Sequence, residues 1–95
     1  MNEKFEWDEA KAESNFRKHG VEMDEGATVF DDPNVIYLDD NAHSEEEVRE
    51  IALGYSDQNR LLCVVYTERG IKTRLISVRQ ATHYEQREYE QYNTR

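Results

Sequence analysis

Pro33, the only proline among 95 residues, divides the chain into two hydrophobic rhythms. Before it, the apolar residues fall at helical spacing. The stretch "DEAKAESNFRKHG" opens on Asp8, a good N-cap, places Glu9 in the first turn and closes on Gly20, which suits a C-cap. Ala12 and Phe16 then share a face, while Lys18 and His19 occupy the last turn, where positive charge meets the negative end of the helix dipole. A second, short helix sets Met23, Ala27 and Phe30 on one side, with Gly26 inside it at a cost of about 1 kcal/mol relative to alanine. "DDP" at 31–33 ends that helix, because proline resists helical continuation.

After the proline the period becomes two. "VIYL" (35–38), "VREIALGYS" (48–56), "RLLCVVYTE" (60–68) and "IKTRLISVR" (71–79) are rich in branched and aromatic residues and are separated by turn chemistry, which predicts four strands. "SDQN" and "ERG" are short enough for hairpins, so the last three strands form an antiparallel meander. The acidic "DDNAHSEEE" is expected as a solvated loop at the sheet edge, its glutamates Glu45, Glu46 and Glu47 blocking pairing with other chains. Thr82 and Glu85 have the spacing of a capping box and open a last helix, "HYEQREYEQY", with Tyr84, Glu88 and Tyr92 along one stripe. No repeat, low-complexity tract or linker interrupts this order. The expectation is one α+β domain over residues 1–95: two N-terminal helices, a four-stranded antiparallel sheet and a C-terminal helix.

The chain carries 21 acidic and 12 basic residues, a net charge of −9, which argues against bulk, sequence-indifferent binding to nucleic acid. An enzyme that needs a few cations at one phosphate is not excluded. Lone Cys63 has no disulfide partner, and "MNEKFEWDEAK" contains nothing resembling a signal peptide, so a cytoplasmic location is expected. No apolar run approaches the roughly 18 residues that span a bilayer, and no membrane role is expected.

Against this acidic background, "RGIKTRLISVRQATH" (69–83) holds Arg69, Lys72, Arg74 and Arg79 and no acid. Strict alternation sets Lys72, Arg74, Ile76 and Val78 on one face and Thr73, Leu75, Ser77 and Arg79 on the other. Arg74 and Arg79 therefore converge only if a bulge or the strand end re-aims one of them. The ribbon suits a phosphate site, and it equally suits pairing with the chain's own acids. His19 offers proton exchange near neutral pH, or merely a favourable helix end. Asp39, Asp40 and His43 lack a partner ligand at metal-site spacing, and Cys63 alternates with Leu61 and Val65 on an apolar strand face. No metal and no cofactor are expected.

Several stretches together, "FEWDEAKAESNFRKHGV", "VFDDP", "HSEEEVREIALGYSDQNRLLCVVYTERG" and "RLISVRQATHYEQREYE", resemble the BrnT family of bacterial toxins over nearly the whole chain. The resemblance implies a RelE-like microbial ribonuclease fold and a toxin that cuts RNA without metal and slows translation. It also implies a BrnA-like antitoxin that binds the toxin and provides the DNA-binding dimer, so that DNA is met only through that partner. By position, the family's patterns fall on Lys18, His19, Gly20 and Val21, on Arg69, on Arg74, Ser77 and Arg79, and on Glu85 and Tyr89. In that reading Arg69, Arg74 and Arg79 hold the phosphate, His19 transfers the proton with Tyr89 as a second candidate, and Lys18, Lys72, Ser77 and His83 contact RNA. The chain departs from the family pattern at Gln80 and His83, where lysine and arginine are common, and at Gly26 and Asn59. The first two thin the cationic patch and favour the alternative, a non-catalytic toxin-like module that docks an antitoxin or another acidic partner.

Overall fold

The computed structural model describes residues 3–40 and 47–94. A two-residue strand, β1 (Phe5–Glu6), precedes helix α1 (Glu9–His19). Asp8 caps α1 by accepting the Lys11 N–H at 3.0 Å, and Gly20 ends it at a left-handed φ of 70°. Helix α2 (Met23–Ala27) runs directly into a 3-10 turn (Thr28–Asp31) before Pro33. Strands β2 (Ile36–Asp39), β3 (Glu50–Tyr55), β4 (Leu61–Arg69) and β5 (Lys72–Gln80) pair as antiparallel neighbours, and α3 (His83–Asn93) follows. The expected capping box is present: Thr82 Oγ1 accepts the Glu85 N–H, and the Glu85 carboxylate accepts the Thr82 N–H.

One element corrects the sequence reading. The four expected antiparallel strands are joined by a fifth, so among the described residues the sheet is five-stranded and mixed, ordered β1-β5-β4-β3-β2, because Phe5 and Glu6 add in parallel beside Thr73 and Arg74. Two residues are too few to display a period, so pattern reading has nothing to register there.

The two sheet faces carry separate cores. On one side, α1, α2 and the 3-10 turn bury Val21, Met23 and Val29 against Ala52, Leu62, Val64, Leu75 and Val78. On the other, α3 sets Tyr89 over Ile36, Leu53 and Cys63. The inward stripe of α1 is Ala12, Asn15 and His19 rather than Ala12 and Phe16, for Phe16 is 45% exposed while Asn15 is buried. Tyr84 and Tyr92 are likewise exposed, and the residue of α3 that faces the sheet is Tyr89.

Asn15 explains how the β5 edge is closed beyond the end of β1. Its carboxamide Nδ2 donates to Val78 O at 2.9 Å and to Val21 O at 3.2 Å, and its Oδ1 accepts the Val78 N–H at 3.1 Å. One side chain thus satisfies the two backbone groups of Val78 that a further strand would have paired.

Gly26 is explained by close approach. A Cβ built there would lie 2.5 Å from Val78 Cγ2, so α2 can rest on β5 only without a side chain at this point. The helix propensity that alanine would add, about 1 kcal/mol, is opposed by overpacking that costs typically 1–3 kcal/mol. Gly26→Ala is therefore expected to lower stability, read as a lower urea midpoint with an unchanged slope. A raised midpoint would show that Val78 yields freely.

Candidate functional site

The register of β4 against β5 shifts at one point. Val65 pairs with Ser77 and Tyr66 with Leu75, so Ile76 is an extra residue bulged out of β5. The bulge reverses the alternation: Leu75 and Val78, three apart, both enter the first core, and Arg74 and Arg79, five apart, both project from the opposite face. Pairing extends this face to Thr67, Arg69 and Lys72 at the hairpin end of the same strands.

α3 covers only part of that face. Beyond it lies an open groove lined by Asp40, Arg49, Ile51, Cys63, Val65, Ile76, Ser77 and Arg79. Its floor is apolar, and its charged residues are Arg49, Arg79 and Asp40. Arg49, immediately before β3, is a groove residue that sequence reading misses, because within "VREIALGYS" nothing signals which way it faces.

The cations of this face meet acids from distant parts of the chain. Arg74 Nη1 donates to Glu6 Oε2 at 3.1 Å, joining β5 to β1. Arg69 lies 3.8 Å from the Glu47 carboxylate, with 55% of its side chain exposed, an ion pair that solvent and salt screen heavily. Arg79 makes the closest arrangement: Nη1 and Nη2 donate to Glu85 Oε1 and Oε2 at 2.8 and 2.9 Å. The Arg79 guanidinium holds the Glu85 carboxyl down to about 2, with the Thr82 N–H adding to the effect against burial. Burial pushes the Cys63 thiol up to about 12, which keeps it protonated and unreactive beneath Arg79.

Other residues expected at the site are held elsewhere. His19 lies on the inward stripe of α1, on the helix-covered side, so β5 separates it from the arginines, and Lys18 beside it is exposed on that helix. His83 shares the α3 surface with Gln86, Arg87 and Glu90. At about 100° per residue, that stripe points away from the one bearing Glu85 and Tyr89. The single cluster of His19 with the arginines therefore does not form. Tyr89 is buried and donates its hydroxyl to Asp32 Oδ2 at 2.7 Å, an oxygen that also accepts the Tyr55 N–H at 2.8 Å. Burial and the Asp32 carboxylate push the Tyr89 phenol well above its ordinary range, which suits a clamp between α3 and the Pro33 turn better than proton exchange.

Sequence reading also missed Glu25, which is buried and paired with Arg60 while accepting the Ser56 hydroxyl at 2.7 Å. Nothing in the spacing of these three residues announces them. Among the described residues, no group of His, Cys, Asp and Glu side chains could hold a metal ion, and no helix is long and apolar enough to cross a membrane. His43, Glu45 and Glu46 lie outside the described residues.

Comparison with known proteins gives this geometry a context. A family model described as "Ribonuclease toxin, BrnT, of type II toxin-antitoxin system" matches residues 7–85. Among solved structures, the crystal structure of the Brucella abortus ribonuclease toxin BrnT is similar in fold, with a TM-score of 0.67 at 22% identity. The match covers 86% of this chain and 100% of that one. No curated protein matches.

Three carboxylates tie elements of the fold together, and all three have lowered folded-state pKa values. The Arg60 guanidinium holds Glu25 down. Burial pushes Asp32 up, but the N–H groups of Tyr55 and Asn34 and the Tyr89 hydroxyl outweigh it. Glu85 is held by Arg79. A lowered carboxylate contributes stability that is complete above its unfolded value and is lost as pH falls through its folded value. The thermal midpoint should therefore be level down to about pH 5 and then drop between about pH 4.5 and 2. A midpoint at pH 3 equal to that at pH 7 would contradict this linkage.

Proposed function

This chain belongs to the BrnT family, ribonuclease toxins of type II toxin-antitoxin systems, and from that membership we propose that its uncovered sheet face is where RNA is bound and cut. The observation that carries the reading is the Ile76 bulge, which puts Arg74 and Arg79 on one side of β5, with Arg79 beside the apolar floor of the groove. Guanidinium groups offer fixed forks of donors to phosphate oxygens. Ile51, Val65 and Ile76 offer an apolar surface against which a base can lie.

In this reading the RNA 2′-hydroxyl attacks the adjacent phosphorus in line. The bond from the 2′ oxygen to phosphorus forms, the bond to the 5′ oxygen breaks, and the departing oxygen takes a proton from solvent, to which the 2′-hydroxyl gives its own. Arg74 and Arg79 stabilise the charge that builds on the phosphate oxygens, a role a metal ion fills in other nucleases. Arg69, Lys72 and Ser77 guide the strand along the same face. His19 and Tyr89 take no proton, since one lies behind β5 and the other is clamped to Asp32.

A type II toxin has a protein antitoxin as its partner. We propose a BrnA-like antitoxin that covers the arginine face and supplies the contact with DNA, with the free toxin acting in the cytoplasm to inhibit translation. The alternative, a module that docks its partner without catalysis, is favoured by one observation: Arg69, Arg74 and Arg79 each already face an acid of their own chain.

Cleavage of purified RNA in the presence of a chelator separates the two. The intact protein should cut, Arg74→Ala and Arg79→Ala should each lose about two orders of magnitude, and His19→Ala should stay within a few-fold of the parent. Loss of cutting in His19→Ala, with the arginine variants unaffected and all proteins folded, would move the site to the α1 side. A folded parent that neither cuts RNA nor arrests growth when expressed without an antitoxin would establish the docking module.

A further inference from the structure

Arg79 has five N–H donors in a planar fork, and the structure accounts for three of them. Nη1 donates to Glu85 Oε1 at 2.8 Å and to Gln80 O at 3.2 Å, and Nη2 donates to Glu85 Oε2 at 2.9 Å. Without a partner among the described residues are the Nε–H and the second Nη2–H, which lie parallel on one edge of the guanidinium. That edge matches two oxygens of a phosphate. Glu85 itself is fixed from a third direction, because its Oε1 also accepts the Thr82 N–H at 2.9 Å at the cap of α3. The carboxylate is largely buried, with 16% of its side chain exposed, so its position is set by these bonds rather than by solvent.

We propose that Glu85 is a positioning residue: it holds Arg79 by its Nη1/Nη2 end so that the Nε/Nη2 edge is presented to a phosphate in the groove beside Ile76 and Ser77. Two features follow from the geometry. An unrestrained arginine would have to lose side-chain freedom when it binds, whereas a guanidinium already clamped on one edge loses little. The clamp also links the site to α3, for the capping box that starts the helix and the bond that orients Arg79 share one carboxylate oxygen. Glu85 touches no substrate in this arrangement and acts only through Arg79.

The inference rests on the reading of this face as the RNA site, and the test keeps the two apart by pairing a cleavage assay with a binding signal. Three variants are compared after their folding is confirmed. Glu85→Ala removes both the clamp and the cap bond, and Glu85→Gln keeps an acceptor for the Thr82 N–H while replacing one of the two oxygens facing Arg79, so it serves if alanine unfolds the chain. Thr82→Ala weakens the same cap and leaves the Arg79 contact. Glu85→Ala and Glu85→Gln should lower kcat by about tenfold or more, with Thr82→Ala within about twofold of the parent. In ¹⁵N spectra, the Arg79 Nε–Hε resonance of the parent should be sharp and should shift on addition of inorganic phosphate, and both responses should be lost in the Glu85 variants.

Equal losses in Thr82→Ala and the Glu85 variants would reduce Glu85 to a helix cap and overturn the proposal. Faster cutting without Glu85 would overturn it in the other sense, by showing that the carboxylate restrains Arg79. If the parent cuts no RNA, the phosphate response decides alone: a shift at Arg79 Nε that depends on Glu85 sustains the positioning role while the nuclease reading falls. An Arg79 resonance indifferent to phosphate overturns it.

Discussion

The placement of one residue, Ile76, decides which side chains can work together on this protein. A regular β5 would bury either Leu75 or Val78 and would send Arg74 and Arg79 to opposite faces. With Ile76 bulged, both apolar residues enter the core beneath α1 and α2, and both arginines leave on the far side. The core therefore enforces the site: moving the bulge would expose Leu75 or Val78, each worth roughly 1.5–3 kcal/mol when buried. Asn15 supports the same strand by pairing with both backbone groups of Val78, and Gly26 lets α2 close over it. The stability of the helical side and the geometry of the arginine side are thus one constraint seen from two faces.

Electrostatics divides in the same way. The stretch from 69 to 83 contains no acid, yet its arginines are not bare, because β1, the segment before β3 and α3 each bring one carboxylate to them. These pairs differ in kind. The exposed contact of Arg69 is worth little in water, whereas the two-bond clamp of Arg79 by Glu85 fixes an orientation. On the proposed reading, a strongly acidic chain can keep a face for phosphate: local cations are held in place by some of the surrounding acids, and the remaining charge discourages indiscriminate binding along nucleic acid.

Much of this was legible in the sequence, and the limits are physical. The caps at Asp8, Gly20 and Thr82, the proline boundary and the three-strand meander follow from local chemistry, which the chain writes residue by residue. β1 was not legible, because two residues have no period and take their strand geometry from β5. The cationic ribbon was visible, but the alternation rule gives the wrong faces across a bulge, and a bulge leaves no mark in "RLISVR". His19 was grouped with the arginines because a sequence shows residue types and not the sheet that stands between them. Glu85 was read as a helix cap, which it is, and its second bond to Arg79 depends on α3 folding back over β5.

We propose that the half of the sheet left open by α3 is the RNA face. Titration of the ¹⁵N- and ¹³C-methyl-labelled protein with a short RNA, made uncleavable by 2′-deoxy substitution, tests it most directly. Shifts concentrated on Ile51, Val65, Ile76 and the side chains of Arg74 and Arg79, with Ala12, Asn15 and His19 unmoved, are the predicted result. Shifts confined to α1 around His19, with the Ile76 and Val65 methyl groups silent, would contradict it.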